Sequence, residues 1–205
     1  NHSNKTIKLH GFGSISRHSE GDLDSNLVSY EGPIAVSNNK LQEVSYEDLK
    51  DAREKEWTEQ PQWLGFSDKY WLGALINSKG DQSIASLRYL PGNTNEWQAD
   101  MVSKLAVIEP GQQSHNNTML FTGAKKVSLL DHYQLQYNIP LFDRSVDFGV
   151  LYFITKPLFL LLDYFYELTG NFGIAIVILT IVIKLLLFPL AFKGFKGMNR
   201  KGKYI

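Results

Sequence analysis

Hydrophobic and polar positions follow two regimes along the chain. Over residues 1–145 apolar positions come in short runs cut by Gly, Pro and Asn. An extended run at 32–36 leads into a turn at 37–40. Residues 69–76 are aromatic and aliphatic, bounded by Asp68 and Asn77. Residues 83–90 alternate and stop at Pro91-Gly92-Asn93. Residues 104–108 end at Pro110-Gly111, and 119–123 form a further run. Short strands separated by turn residues predict a β-sandwich over 1–145. Two helices are expected within it. One covers 45–56, opened by the capping pair Ser45 and Asp48. The other covers 128–137, with Leu129, Leu130, Tyr133 and Tyr137 at helical spacing.

From residue 146 the period changes. Phe148, Leu151, Tyr152, Phe159, Leu162 and Phe165 recur at helical spacing. Lys156, Asp163 and Glu167 fall within about 40° of one another at ~100° per residue, a narrow polar stripe. Residues 146–170 therefore predict an amphipathic helix lying at a membrane interface, its regular part starting near Pro157 and ending at Gly170-Asn171. A core helix of the soluble domain is the competing reading.

Residues 171–192 predict a transmembrane helix. The stretch 172–192 would extend about 31 Å at ~1.5 Å per residue, the hydrocarbon thickness. Its Leu, Ile, Val and Phe supply about −5 to −9 kcal/mol of insertion free energy. The one charge, Lys184, costs about +2.5 to +3.5 kcal/mol. Lys184 lies near mid-membrane, and snorkelling over roughly 12 Å exceeds its stem. It is expected to face a protein interior or a water-filled cavity, with Thr180 one turn away on the same face. Pro189 has no N–H, which frees the carbonyl of Leu185 and marks a candidate kink. From residue chemistry two roles remain open for Lys184: a polar groove receiving a passenger, or pairing with an acidic residue on another helix.

Charge supports this division. The whole chain balances 21 basic against 21 acidic residues. Residues 193–205, however, hold five basic residues (Lys193, Lys196, Arg200, Lys201, Lys203) and no acid, which leaves 16 basic and 21 acidic in the first 192. A basic tail beside a span marks the cytoplasmic side, so 1–171 are expected in the periplasm of a bacterium. No global basic excess points to nucleic acid. The chain has no Cys, hence no disulfide framework or thiolate chemistry. Its five His residues are scattered, so no metal or cofactor is expected. Ser114, His115 and Asp131 could be drawn as a triad, but no nucleophile elbow surrounds the serine, and no enzymatic activity is expected. The chain begins with Asn1, without a signal peptide, and an upstream segment is expected.

Several stretches resemble the YidC family of membrane protein insertases: Gly65-Phe66-Ser67-Asp68-Lys69-Tyr70-Trp71, Phe142-Asp143-Arg144-Ser145-Val146-Asp147-Phe148-Gly149, Ile154-Thr155-Lys156-Pro157-Leu158, Gly170-Asn171-Phe172-Gly173-Ile174-Ala175-Ile176, Thr180-Ile181-Val182-Ile183-Lys184 and Phe188-Pro189-Leu190. The resemblance implies a galactose-mutarotase-like periplasmic sandwich, an interfacial helix and the first helix of a five-helix core. It places Lys184, where the family commonly has Arg, and Thr180 in a hydrophilic groove open to cytoplasm and lipid. The implied function is insertion and folding of inner-membrane proteins, alone or with the Sec translocon. The implied partners are newly made membrane proteins and lipids, with the ribosome reached through other regions. The family continues beyond both ends of this sequence, so the chain is expected to be a fragment. The alternative is a membrane-anchored periplasmic carbohydrate-binding or interaction domain. A sugar site would need a carboxylate and a His in one cleft, with platforms from Trp57, Trp63, Trp71 or Trp97.

Overall fold

The computed structural model describes residues 1–18, 30–78, 82–92, 95–149 and 151–201. Asn93, expected in a turn, and Lys203, expected in the basic tail, lie outside the described residues. The described strands are β1 Ile7–Leu9, β2 Phe12–Arg17, β3 Gly32–Ser37, β4 Lys40–Glu43, β5 Glu54–Trp57, β6 Pro61–Ser67, β7 Trp71–Asn77, β8 Ser83–Leu90, β9 Glu96–Ser103, β10 Ala106–Ile108 and β11 Thr118–Ala124. The helices are α1 Tyr46–Ala52, α2 Val127–Gln136, α3 Tyr152–Thr169 and α4 Phe172–Lys201, with a 3-10 turn at Phe142–Ser145. The chain forms two compact units, Asn1–Asp147 and Phe148–Ile205.

The first unit is a β-sandwich. A five-stranded antiparallel sheet, in the order β11-β7-β6-β3-β4, faces a four-stranded one, β2-β9-β8-β5; β1 pairs with β10 separately. Ala35, Leu64, Phe66 and Leu75 of the first sheet pack with Ala85, Leu87, Trp97, Ala99 and Met101 of the second. The five-stranded sheet is also buried on its other face. Ile34, Val36, Trp63, Leu72, Ala74 and Ile76 pack there against Leu130 of α2, Ile139 and Phe142. Trp63 meets Phe142 edge to face at 5.5 Å, and its Nε1–H donates to the carbonyl of Pro140 at 2.8 Å. Because both faces are covered, every residue of β3 is buried and the alternation expected of a half-exposed strand disappears.

Local chemistry sets the breaks. The hairpin between β3 and β4 turns through Asn38 and Asn39, at φ 52° and 56°. That left-handed pair suits a two-residue primed turn, and Asn tolerates it. The side chain of Ser45 accepts the Asp48 N–H at 3.0 Å and opens α1. The helix is shorter than the expected 45–56. Arg53 takes φ 67°, its N–H bonds to the carbonyl of Leu49, and the chain turns into β5. There Glu54, Lys55 and Glu56 form an exposed edge strand paired with β8, whose charges mimic a continuing helix. Ser45→Ala is expected to cost about 1 kcal/mol, read as a lower urea midpoint at unchanged slope.

The second unit is helical, and α3 and α4 pack on each other. The expected start near Pro157 is corrected: α3 begins at Tyr152 and runs through Pro157. The carbonyl left unbonded by a proline is tolerated on an exposed helix face. Phe153, Ile154, Leu160, Tyr164 and Leu168 are exposed, so α3 presents apolar side chains outward. The chain turns between helices at Gly170, in the left-handed region at φ 66°. α4 continues past the expected end at 192 to Lys201.

Candidate functional site

The turn into α4 satisfies its own polar groups. Gly170 N–H bonds to the Tyr166 carbonyl at 2.8 Å. Thr169 Oγ1 donates to the Phe165 carbonyl at 2.8 Å. Asn171 caps the next helix: its Oδ1 accepts the Gly173 N–H at 2.8 Å and the Ile174 N–H at 3.3 Å. Such internal bonding is what a backbone near hydrocarbon requires. Phe172 stacks on Tyr166 with ring centroids 4.0 Å apart. One turn on, Ala175 is fully buried, a small residue that lets helices approach closely. The sequence carries a signal for this cap, Asn directly after a helix-ending Gly; the burial of Ala175 has none.

Beyond this turn α4 is apolar and uncovered. Phe172–Pro189 has a mean hydropathy of 2.6, and among the described residues it is the one helix stretch long and apolar enough to cross a membrane. Ile174, Ile176, Val177, Ile181 and Leu185 to Phe188 are all exposed. A soluble core helix would bury these side chains; a lipid-facing one exposes them.

Thr180 and Lys184 are both exposed on this helix. They are four residues apart, hence within about 40° of one another around the axis. Thr180 Oγ1 donates to the Ile176 carbonyl at 2.7 Å, so its proton is engaged within the helix and its lone pairs remain to accept. The ammonium of Lys184 supplies donors and charge. Pro189 is rotated about 140° from Lys184 on an ideal helix, and α4 continues through it. The face therefore offers one cation and one hydroxyl acceptor on an otherwise apolar surface: a seat for an anionic or polar group.

Other candidate chemistry is dispersed. Ser114 and His115 line a small cavity of about 390 Å³ with His10 and Lys104; Asp131, on α2, is not on its wall. A larger cavity, about 1360 Å³, lies at one end of the sandwich. His10 and Glu59 both line it, but none of the four tryptophans does. Trp57, Trp63 and Trp97 are buried in the core, leaving only Trp71 exposed. Three of the four sugar platforms considered are thus structural. Among the described residues no group of three or more His, Asp or Glu side chains is placed to hold a metal.

Residues 1–161 match the family described as the YidC periplasmic domain. Similar curated proteins include three named membrane protein insertase YidC. Those of Rickettsia felis and Rickettsia prowazekii are 40% identical over 202 residues, and that of Rickettsia bellii is 39% identical over 202 residues. Each alignment covers 98% of this chain and 36% of the relative. The chain thus spans a little over a third of the length of the curated relatives it matches.

Proposed function

The chain belongs to the YidC family, and from that premise we propose that it supplies the periplasmic sandwich and one groove-lining helix of an inner-membrane protein insertase. The observation that carries the reading is Lys184 with Thr180 on one face of an otherwise apolar, uncovered helix. A lysine at that depth is costly in lipid. It is tolerable where water or a polar passenger reaches it. The groove shortens the apolar barrier for a hydrophilic segment, while the passenger's apolar helix partitions into lipid. Lys184 draws acidic groups of the passenger inward, and the hydroxyl of Thr180 accepts from its amides. The work is partitioning and electrostatics, with no bond made or broken. The sandwich is periplasmic and the residues after 192 are cytoplasmic, an orientation supported by the basic residues at 193–203. The partners are newly made membrane proteins and lipid, with the Sec translocon and the ribosome reached through regions beyond this sequence. Pro189 supplies a bend toward the cytoplasmic end of α4.

The test is a chimaera in which this chain replaces the matching 202-residue segment of the Rickettsia felis relative. It is expected to restore growth, and insertion of a single-span reporter, in cells depleted of their own insertase. A stable, membrane-located chimaera that leaves the reporter uninserted refutes the reading.

A further inference from the structure

Two stretches singled out in the sequence, 65–71 and 142–149, take no part in the membrane helix, yet the fold brings them together. Ser67, the last residue of β6, is fully buried. Its hydroxyl donates to the Ser145 carbonyl at 3.3 Å and accepts from Lys125 Nζ at 3.0 Å. Ser145 donates in turn to the Phe142 carbonyl at 2.8 Å. Two residues further, Asp147 Oδ2 accepts the backbone N–H of Tyr30 at 2.9 Å. Tyr30 is itself pinned, its hydroxyl lying 2.7 Å from the Pro33 carbonyl and accepting the Val44 N–H at 3.0 Å. The other end of the segment is held as well: the Asp143 N–H donates to Gln134 Oε1 at 3.2 Å, and Pro140 takes the bond from Trp63 described above.

The chemistry is costly for a plain chain terminus. Burial pushes the Lys125 ammonium below its usual range, and Glu31, Asp68 and Asp147 pull it back up. Burial raises the Glu43 carboxyl, and the nearby Asp147 raises it further. Asp68 is bound to Arg17. Half-buried charge of this kind adds little net stability compared with apolar packing; its best-attested use is to fix register. The position also matters. Asp147 is the last residue of the sandwich unit and Phe148 the first of the helical one. Gly149 follows at φ +70°, with open space where a Cβ would stand.

We propose that Asp147, Ser67 and Lys125 form a latch that fixes the point at which the chain leaves the sandwich unit. Asp147 is a positioning residue: it acts through the backbone of Tyr30 and the segment 143–147. The latch stands on the geometry above; its importance for insertion rests on the function proposed for the helical unit.

Hydrogen exchange on the full chain in lipid nanodiscs tests it. Asp147→Ala is expected to speed exchange of the Tyr30 and Val146 amides about tenfold. The thermal midpoint should fall by no more than about 3 °C. Asp147→Asn, which keeps an acceptor, restores most of the Tyr30 protection, and Ser67→Ala loosens Val146 alone. Unchanged Tyr30 and Val146 amides in Asp147→Ala overturn the latch. A uniform rise in exchange with a collapsed midpoint also overturns it, because Asp147 is then ordinary core support. In the chimaera, Asp147→Ala should lower reporter insertion about as much as two glycines inserted after Gly149, which leave Tyr30 protected. If neither change lowers insertion, the latch positions nothing the helices use and the proposal fails. An unmodified chimaera without activity refutes the insertase reading instead, and the exchange results then judge the latch alone.

Discussion

Gly65→Ala is expected to destabilise the sandwich by about 3 kcal/mol and lower its melting temperature by about 10 °C. Gly65 lies mid-strand in β6, opposite Ala74 of β7. A Cβ built on it would stand 1.9 Å from the Gly73 carbonyl oxygen and 2.8 Å from the Ala74 Cα. Both atoms are backbone of a paired strand, so no rotamer change relieves the overlap; two strands must separate. The strands lie in the sheet shared by both cores, and separation loosens each. Gly73→Ala is the control. Its Cβ would meet only Ile15 methyl carbons, at 3.9 and 4.0 Å, and the melting temperature should move by no more than about 3 °C. Equal effects from the two substitutions, measured by calorimetry, would show that the close approach at Gly65 does not exist.

Lys184→Leu should reduce insertion by the chimaera at least tenfold, while Lys184→Arg keeps it near the level of the unmodified protein. Leucine removes a cost of about 3 kcal/mol from the span, so the variant helix enters the membrane more readily. A loss of function therefore cannot be assigned to failed insertion of the helix itself. Arginine keeps the charge and adds a donor fork. Thr180→Val should have a smaller effect, because the hydroxyl proton is already bound to Ile176 and only an acceptor is lost. Crosslinking separates the two roles open for Lys184. If the Lys184→Leu chimaera still assembles but no longer contacts a nascent passenger, the groove reading stands. If it loses a helix–helix crosslink first, pairing for assembly replaces it.

Much of this is legible in the residues. The change of period near 146, the lone charge in an apolar stretch and the Ser45 cap are local signals, and the structure carries α3, an uncovered apolar helix and a capped α1 at those places. The losses have particular causes. β6 escapes a pattern reading because Trp63, Leu64, Gly65 and Phe66 are all buried, so the strand has no polar alternate positions. β9 does carry the period-2 signal, Glu96, Gln98 and Asp100 alternating with the core row Trp97, Ala99 and Met101, although it is not among the strands expected from the sequence. β5 reads as helix because an exposed edge strand and a charged helix end share the same composition. Pro157 misleads in the opposite sense: its missing N–H leaves the Phe153 carbonyl without its helical partner, but the helix runs through it on an exposed face. At the candidate site, the Thr180–Lys184 spacing is readable from helical geometry alone. The meeting of Ser67, Lys125, Asp147 and Tyr30 is not, since it depends on the pairing of β3 with β6 and of β7 with β11 and on a contact between Tyr30 and Asp147 that the local pattern does not announce.

The doubly covered sheet creates an ambiguity during folding that the close approach at Gly65 resolves. In a sheet with one wet face, a one-residue slip sends charged groups inward and is rejected at once. Here a slip of β6 against β7 would merely exchange the side of Trp63 with that of Leu64 and Phe66, apolar for apolar. Solubility alone does not tell the right pairing from the wrong one; shape must. Only a residue without a Cβ fits against the Gly73 carbonyl, and a one-residue slip either way would bring Leu64 or Phe66 there. One missing side chain thus works as a proofreading mark that tells the native pairing from a slipped one.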